Sequence, residues 1–219
     1  MSSHNANVAI RTPGDSSSAI SDKGLLRGSI GLAIIAFLGL GLIYPLAGVG
    51  VGQALFKDTA NGSLIERDGK VLGSSLVAQP FSDDRYFQSR PSAANYDVMA
   101  VAGSNQARTN PDLRKRVDET RAALAQRYGV DPSAIPSDLV TQSGGGIDPH
   151  ISPQAAAIQI DRVAHARGIA RETVEGLVAR HTEGKQLGLL GQPRVNVLEL
   201  NLALDAVASP APEAPATAQ

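Results

Sequence analysis

The chain contains no cysteine and no tryptophan, and only four phenylalanines and four tyrosines among its 219 residues. The absence of cysteine excludes disulfides, thiolate metal sites and a cysteine nucleophile. The scarcity of aromatic residues predicts a small core built from Ala, Val, Leu and Ile. The chain also lacks a surplus of positive charge, since its formal net charge is -1. A nucleic-acid-binding protein normally carries such a surplus, so we expect no nucleic-acid partner.

No charged residue occurs between Arg27 and Lys57. A helix needs about 20 apolar residues to cross the hydrocarbon core of a bilayer, and this uncharged stretch is longer than that. The alternative is a cleaved signal peptide, whose apolar region has only about 7–15 residues and ends in a small-x-small cleavage site. The stretch is too long for such a peptide and starts too far into the chain. The sequence therefore predicts one transmembrane helix, in contact with the lipid bilayer.

Proline and glycine give this predicted helix two special features. Pro45 has no amide hydrogen and its ring crowds the preceding turn, so we expect a kink near Tyr44. Gly48 and Gly52 have GxxxG spacing, which lets a second helix approach closely in lipid. We expect a partner helix to pack at Tyr44, Pro45, Gly48 and Gly52. Glycine is also common as plain apolar filler in membrane helices, and the sequence leaves that alternative open.

Basic residues beside the predicted helix indicate its orientation. Lys23 and Arg27 precede the helix, whereas only Lys57 follows it closely. Basic flanks favour the cytoplasmic side, so we expect the N-terminus inside and the remainder of the chain outside. The predicted organisation is a mostly disordered cytoplasmic tail (1–27), a transmembrane helix and its exit (28–56), an extracytoplasmic domain (57–207) and a disordered tail (208–219).

The outer segment combines strand and helix signals, which predicts a small α+β domain. A β-hairpin is expected over residues 63–76 because Asp68-Gly69 favours a tight turn. Short strands are expected at 76–79 and 86–87, followed by a polar loop from residue 90 to 110. Cap and stop residues then predict three helices, from Pro111 to Gly129, from Pro153 to Gly168, and over 171–181. A strand at 195–197 and a closing helix over 198–204 complete the prediction.

Ser143, Asp148 and His150 lie close together in the stretch LVTQSGGGIDPHISP and suggest a hydrolase. A working triad needs its base and nucleophile held by separate rigid elements, whereas these three residues share one glycine-rich loop. The G-x-S-x-G elbow is also missing. We therefore expect no catalytic residue here and interpret the stretch as a loop that packs or docks.

Metal and nucleotide sites are weakly supported. His150, His165 and His181 are scattered and match no metal-binding spacing. The glycines at 144–146 offer backbone amides to a phosphate, but the lysine and hydroxyl residue that complete a phosphate-binding loop are missing. We expect no metal and no cofactor bound directly by this chain.

Several stretches, taken together in order and spacing, resemble the KdpC family, the C subunits of the bacterial Kdp potassium-transporting P-type ATPase. The resemblance covers about residues 41–205. The matching stretches are YPL (44–46), ANGSLI (60–65), YF (86–87), RPSA (90–93), GSN (103–105), LVT (139–141), IDP (147–149), ISPQAA (151–156), VNVL (195–198) and LNLAL (200–204). One local departure is Lys57-Asp58, where an apolar or proline-containing junction is expected.

The resemblance implies an accessory role in high-affinity, ATP-driven potassium uptake across the bacterial inner membrane. The implied partners are a potassium-selective channel-like subunit, an ATP-hydrolysing P-type subunit and a small single-helix subunit. ATP and potassium are then used by the complex. Neither the D-K-T-G-T phosphorylation sequence nor the T-V-G-Y-G filter sequence occurs in this chain, and Asp22-Lys23-Gly24 only begins like the former. ATP binding credited to some members fits poorly with an outward-facing domain.

Ordered polar loops without internal chemistry often serve partners, so we expect docking through two loops, 90–105 and 142–152. The candidate contact residues are Arg90, Ser92, Ser104, Asn105, Gln142, Ser143, Asp148 and His150. Two rivals remain from the residues alone: a membrane-anchored hydrolase and an extracytoplasmic solute-binding sensor. From the residues alone, the polar stretches around Ser92 and Ser104 are more typical of solvated turns than of docking loops.

Overall fold

The uncharged stretch forms one long helix in the computed structural model, which describes residues 22–208. Most of each predicted tail, 1–27 and 208–219, therefore lies outside the described residues. Helix α1 (Asp22–Leu38) continues through a π-helical turn (Gly39–Ile43) into α2 (Tyr44–Leu55). Gly24–Leu55 spans 32 residues and is the one helix in the described part of the chain long and apolar enough to cross a membrane.

The π-helical turn is the form that the expected distortion near Tyr44 takes. The Tyr44 amide donates to the carbonyl of Gly39, five residues back, instead of four. Pro45 follows directly and has no amide hydrogen to donate. One wide turn before the proline thus accommodates both its ring and its missing donor.

The chain divides into two units between Lys57 and Asp58. The second unit begins within the short helix α3 (Lys57–Ala60) and continues into an antiparallel hairpin of β1 (Leu64–Arg67) and β2 (Lys70–Ser74). Asp68 and Gly69 connect the strands with φ angles of 53° and 72°. These positive values are those of a type I′ turn, and they confirm the hairpin predicted from the Asp-Gly pair.

The two short strands expected at 76–79 and 86–87 are wrong. Neither segment pairs with a strand; instead, residues 86–88 bond to side chains from the helices. Asn201 accepts from the Phe87 amide at 2.8 Å and donates to the Phe87 carbonyl at 2.9 Å. Gln159 bonds both backbone groups of Gln88 in the same way, at 2.8 and 3.2 Å. Side-chain amides therefore replace the neighbouring strand that the pattern suggested.

The predicted helix after Asn110 is confirmed as α4 (Pro111–Tyr128). The Asn110 side chain accepts from the Asp112 amide at 2.8 Å, and Gly129 ends the helix with a φ of 65°. A 3₁₀ turn (Pro132–Ala134) and helix α5 (Ser137–Val140) follow. They bring Ile135, Leu139 and Val140 into the core.

The helix predicted from Pro153 to Gly168 is two helices, α6 (Pro153–Ala157) and α7 (Ile160–Arg167). The break lies at Gln159. Its side-chain amide donates to the Ala155 carbonyl at 3.0 Å, and its backbone amide donates to the Ala156 carbonyl at the same distance. The Gln159 side chain is fully buried, and its bonds to Gln88 fix this geometry.

The remaining elements form a small sheet and two helices. The antiparallel sheet has the order β3 (His150–Ile151), β5 (Arg194–Asn196), β4 (Thr182–Glu183). Helix α8 (Arg171–Arg180) precedes β4, and α9 (Val197–Ala208) follows β5, as predicted for both helices. The core lies between these elements and is mostly aliphatic, with Phe87 as its one fully buried aromatic side chain. The predicted α+β class with one long apolar helix is confirmed.

Candidate docking site

The two candidate loops, 90–105 and 142–152, pack against each other. The Ser143 amide donates to the Pro91 carbonyl at 3.2 Å, and the Ser92 hydroxyl donates to the Gly146 carbonyl at 2.6 Å. The same hydroxyl accepts from the amides of Ala94 and Tyr96. The sequence predicts two separate loops, whereas in the structure they form one surface, here called the two-loop surface.

Glycine is required where the loops touch. A Cβ atom added to Gly103 would lie 2.5 Å from the Gly144 carbonyl oxygen. A Cβ atom on Gly146 would lie 2.8 Å from the Ala102 carbonyl oxygen, and this residue has a φ of 75°. Backbone meets backbone at both points, so no side chain can be accommodated without separating the loops.

The eight candidate contact residues differ in accessibility. Ser104 and Asn105 are exposed, whereas Arg90, Ser92, Gln142, Asp148 and His150 are partly buried. Ser143 is only 3% exposed, so its side chain is not available to a partner. The Ser92 hydroxyl is already hydrogen-bonded to Gly146 of the other loop and to Ala94 and Tyr96 of its own loop. The accessible part of the surface is thus smaller than the sequence suggested.

Arg90, Asp148 and His150 form a charged cluster on this surface. Arg90 Nη1 lies 3.0 Å from Asp148 Oδ2, and the His150 amide donates to Asp148 Oδ1 at 3.0 Å. The His150 ring nitrogen Nδ1 lies 3.4 Å from the same oxygen. Partial burial raises the pKa of Asp148, but the hydrogen bonds from His150 and the charge of Arg90 outweigh it, so the pKa is lowered.

Ser143, Asp148 and His150, the residues of the rival hydrolase hypothesis, do not form a triad in the structure. The described hydrogen bonds of Asp148 and His150 do not run to Ser143, whose own amide is bonded to Pro91. A nucleophile must lie within hydrogen-bond reach of its base, and a buried serine off the cleft also excludes substrate. No group of three or more His, Cys, Asp or Glu side chains in the described residues is arranged to hold a metal ion.

The cluster opens onto a cleft of about 840 Å³. Further polar side chains that the sequence did not single out also line it, among them Asp138, Gln154 and Arg194. They come from α5, α6 and β5, and only the tertiary fold brings them to the loops. No local pattern would have identified them. Asp138 accepts from both the amide and the hydroxyl of Ser152, at 2.7 and 3.1 Å.

Hydrogen-bonding capacity at the two-loop surface is not fully used. Arg90 Nε and Gln142 Oε1 are buried and have no hydrogen-bond partner among the described residues. Buried polar atoms are normally paired, because an unpaired one costs roughly 1–3 kcal/mol. Because both atoms are buried in the packing of the loops, ordered water there is the group that suits them best.

We predict an acid-dependent contribution of Asp148 to stability. Because its folded-state pKa is lowered, its interactions stabilise the protein above about pH 4 and are lost as the pH falls through the folded-state pKa. Asp148→Asn should lower the free energy of unfolding by about 1–2 kcal/mol at pH 7, allowing for partial solvent screening. Urea unfolding at several pH values measures this difference, which should shrink as the pH falls below the ordinary carboxyl range and vanish below the folded-state pKa.

The matched control is Asp118→Asn on α4. Asp118 pairs with Arg121 at 3.3 Å, but its side chain is 74% exposed. An exposed ion pair contributes roughly 0–1 kcal/mol, so this variant should change little at any pH. Equal effects of the two substitutions would show that the Asp148 cluster is not a stabilising contact.

Comparison with known proteins confirms the resemblance seen in the sequence. The family model KdpC, described as the K+-transporting ATPase c chain, matches residues 26–206. A Xanthomonas oryzae pv. oryzae (strain MAFF 311018) protein named "Potassium-transporting ATPase KdpC subunit" is 58% identical over 190 residues, covering 87% of this chain and 91% of the relative. Proteins with the same name from Methylococcus capsulatus (strain ATCC 33009 / NCIMB 11132 / Bath) and Dechloromonas aromatica (strain RCB) are 54% and 47% identical, covering 76% and 84% of this chain and 90% and 98% of the relatives. The chain belongs to the KdpC family of potassium-transporting ATPase subunits.

Proposed function

We propose that this chain is a non-catalytic accessory subunit of an ATP-driven, high-affinity potassium uptake pump. Family membership is the observation that carries the proposal. The given sequence contains neither an aspartyl-phosphate signature nor a potassium filter sequence, so those tasks belong to other subunits. The chain binds no cofactor itself; ATP and potassium are used by the complex.

Placement in the membrane follows from the long helix and its flanks. The helix Gly24–Leu55 crosses the bacterial inner membrane once, with Lys23 and Arg27 on the cytoplasmic side. The unit that begins at Asp58 then lies in the periplasm. In that location it has no access to cytosolic ATP, which argues against a direct role in nucleotide binding.

The partners are the potassium-selective channel-like subunit, the ATP-hydrolysing P-type subunit and the small single-helix subunit. Tyr44, Pro45, Gly48 and Gly52 provide the packing face for a neighbouring helix, next to the π-helical turn. The two-loop surface docks near the outer potassium entrance of the channel-like subunit. Its exposed residues Ser104 and Asn105 support a contact role.

Co-purification with the other subunits of the same pump tests this proposal. A tagged full-length chain should recover them from detergent extracts, and omitting the chain should abolish potassium-stimulated ATPase activity. Ser143→Ala should keep nearly full activity, because the proposal gives this serine no chemical role. A chain that recovers no pump subunit, or whose omission leaves the activity intact, would refute the proposal.

A pair of arginine substitutions then tests the two-loop surface. Ser104→Arg should reduce recovery of the pump subunits at least about tenfold, because a bulky charge at an interface is poorly accommodated. Ala122→Arg is the matched control, since Ala122 is exposed on α4 and accepts a helix-forming residue. Equal recovery with both variants would place the docking surface elsewhere.

A further inference from the structure

The hairpin between β4 and β5 exposes three leucine side chains to solvent. Leu187, Leu189 and Leu190 are 91%, 82% and 61% exposed. We call residues 185–190 the leucine hairpin. None of these leucines belongs to the hydrophobic core or packs against it. Exposed apolar side chains this close together need a reason, because scattered single leucines are normal on a surface but a contiguous group is not.

The hairpin is ordered by its own backbone. Gln186 and Leu190 exchange amide-to-carbonyl bonds of 2.8 and 2.9 Å, and Leu189 and Gly188 donate to carbonyls at the start of the turn, both at 3.1 Å. Leu187 has a φ of 53°, a conformation that leucine rarely adopts. The leucines are therefore presented by a preformed turn, and little further ordering is required when they are buried against another surface.

The base of the hairpin is anchored to the small sheet. Glu183 and Arg194 are register partners in β4 and β5, and their side chains form an ion pair of 2.7 Å. The chain that leaves the hairpin, residues 192–194, lines the same cleft as Arg90, Asp148 and His150. The segment that leaves the hairpin thus lies beside the two-loop surface.

The size of the apolar group indicates what it contacts. Three adjacent leucines exposed to this degree form an apolar patch, and the largest such patch on a monomer, typically about 300–600 Å², is often functional. A stable interface buries about 800 Å² on each partner, so the hairpin supplies part of an interface and needs further contact area beside it. The neighbouring two-loop surface provides that area.

A lipid surface and a second copy of this chain are less suitable binding partners for the hairpin than another protein. The hairpin has no Trp, Tyr or Phe, which are the residues enriched at membrane interfaces. Its one cation, Lys185, is too little to attract an anionic lipid surface. A two-fold contact between copies requires a surface that complements itself, whereas a projecting turn is complemented by a groove.

We propose that the leucine hairpin inserts into an apolar groove on another protein subunit of the pump. This inference rests on the proposed function and extends it, because it assigns the apolar anchor of the docking surface and the chemistry of its receptor. The two-loop surface then supplies the polar rim around that anchor.

Because the chain has no cysteine, one introduced cysteine is a unique attachment point. Leu189→Cys, carrying a benzophenone maleimide, should cross-link to another pump subunit when the purified detergent-solubilised complex is illuminated. Ala122→Cys, exposed on α4, is the control and should give at least tenfold less adduct. Mass spectrometry identifies the adduct. Cross-linking only to lipid, only to a second copy of this chain, or equally from both positions would overturn the proposal.

Charge substitution provides a second, independent readout. Leu187→Asp with Leu189→Asp should lower recovery of pump subunits at least tenfold in detergent, where no bilayer is present. The melting temperature of the chain should not change, because both side chains are already in water. Ala122→Asp with Ala123→Asp adds the same charges to exposed helix positions as a control. Full recovery with the leucine variant would overturn the proposal, while recovery of the pump by the unaltered chain leaves the proposed function standing.

Discussion

Asn201→Leu should lower the free energy of unfolding by about 2–5 kcal/mol, the largest effect that we expect from a single substitution. Asn201 is 1% exposed, and its side-chain amide bonds both the amide and the carbonyl of Phe87. Leucine has a similar volume but leaves two buried backbone groups unpaired, each at a cost of roughly 1–3 kcal/mol. Urea unfolding of the full-length chain, followed by circular dichroism, measures the change.

The consequence of this substitution extends beyond the two hydrogen bonds. Phe87 is fully buried and is the largest side chain in the core, so loosening its backbone also disturbs its packing. The segment is further tied to α7, because Arg162 donates to the carbonyl of Tyr86 at 3.0 Å. We therefore expect loss of cooperative unfolding in the region of residues 86–88 together with the lower stability.

Asn110→Ala is the matched comparison, because it removes one asparagine hydrogen bond at an exposed helix N-cap. Such caps contribute about 1 kcal/mol. The Asn201 substitution should lower the free energy of unfolding by clearly more than this. If the two variants unfold at the same urea concentration, the side-chain bonds to residue 87 do not hold the fold together.

The local turns and helix ends of this fold could be predicted from the sequence. Asp68-Gly69 predicted the hairpin turn, and the pattern from Asn110 to Gly129 predicted both ends of α4. In each case the signal and the bond that it predicts lie within four residues of one another. Short-range chemistry decides these structures, so one sequence is sufficient to read them.

The segment 86–88 could not be predicted because its partners are distant in sequence. A short strand was predicted at 86–87, but the groups that bond the segment come from Gln159 and Asn201, 71 and 114 positions from their partners. A side-chain amide gives no sign of such a distant partner. The cleft residues Asp138 and Arg194 were missed for the same reason.

The polar character of a residue was also a poor guide to its accessibility in the candidate site. Ser143 seemed an accessible polar residue, whereas the packing of one loop on the other leaves it 3% exposed. Conversely, the leucines at 187, 189 and 190 lack a helix or strand period and were not recognised as a surface feature. Their exposure depends on the turn formed by Gln186 and Leu190, which becomes apparent only in the folded structure.

Accessibility from outside the cell is the most direct test of the central claim, that the helix spans the membrane and leaves the folded unit in the periplasm. Since the chain has no cysteine, Ala122→Cys provides a single thiol at an exposed position on α4, outside the two-loop surface. A membrane-impermeant maleimide should label it almost completely in intact spheroplasts. Ser18→Cys, on the N-terminal side of the helix, should be labelled only after lysis. The reverse pattern, with Ala122→Cys protected until lysis, would place the folded unit in the cytoplasm and contradict the account.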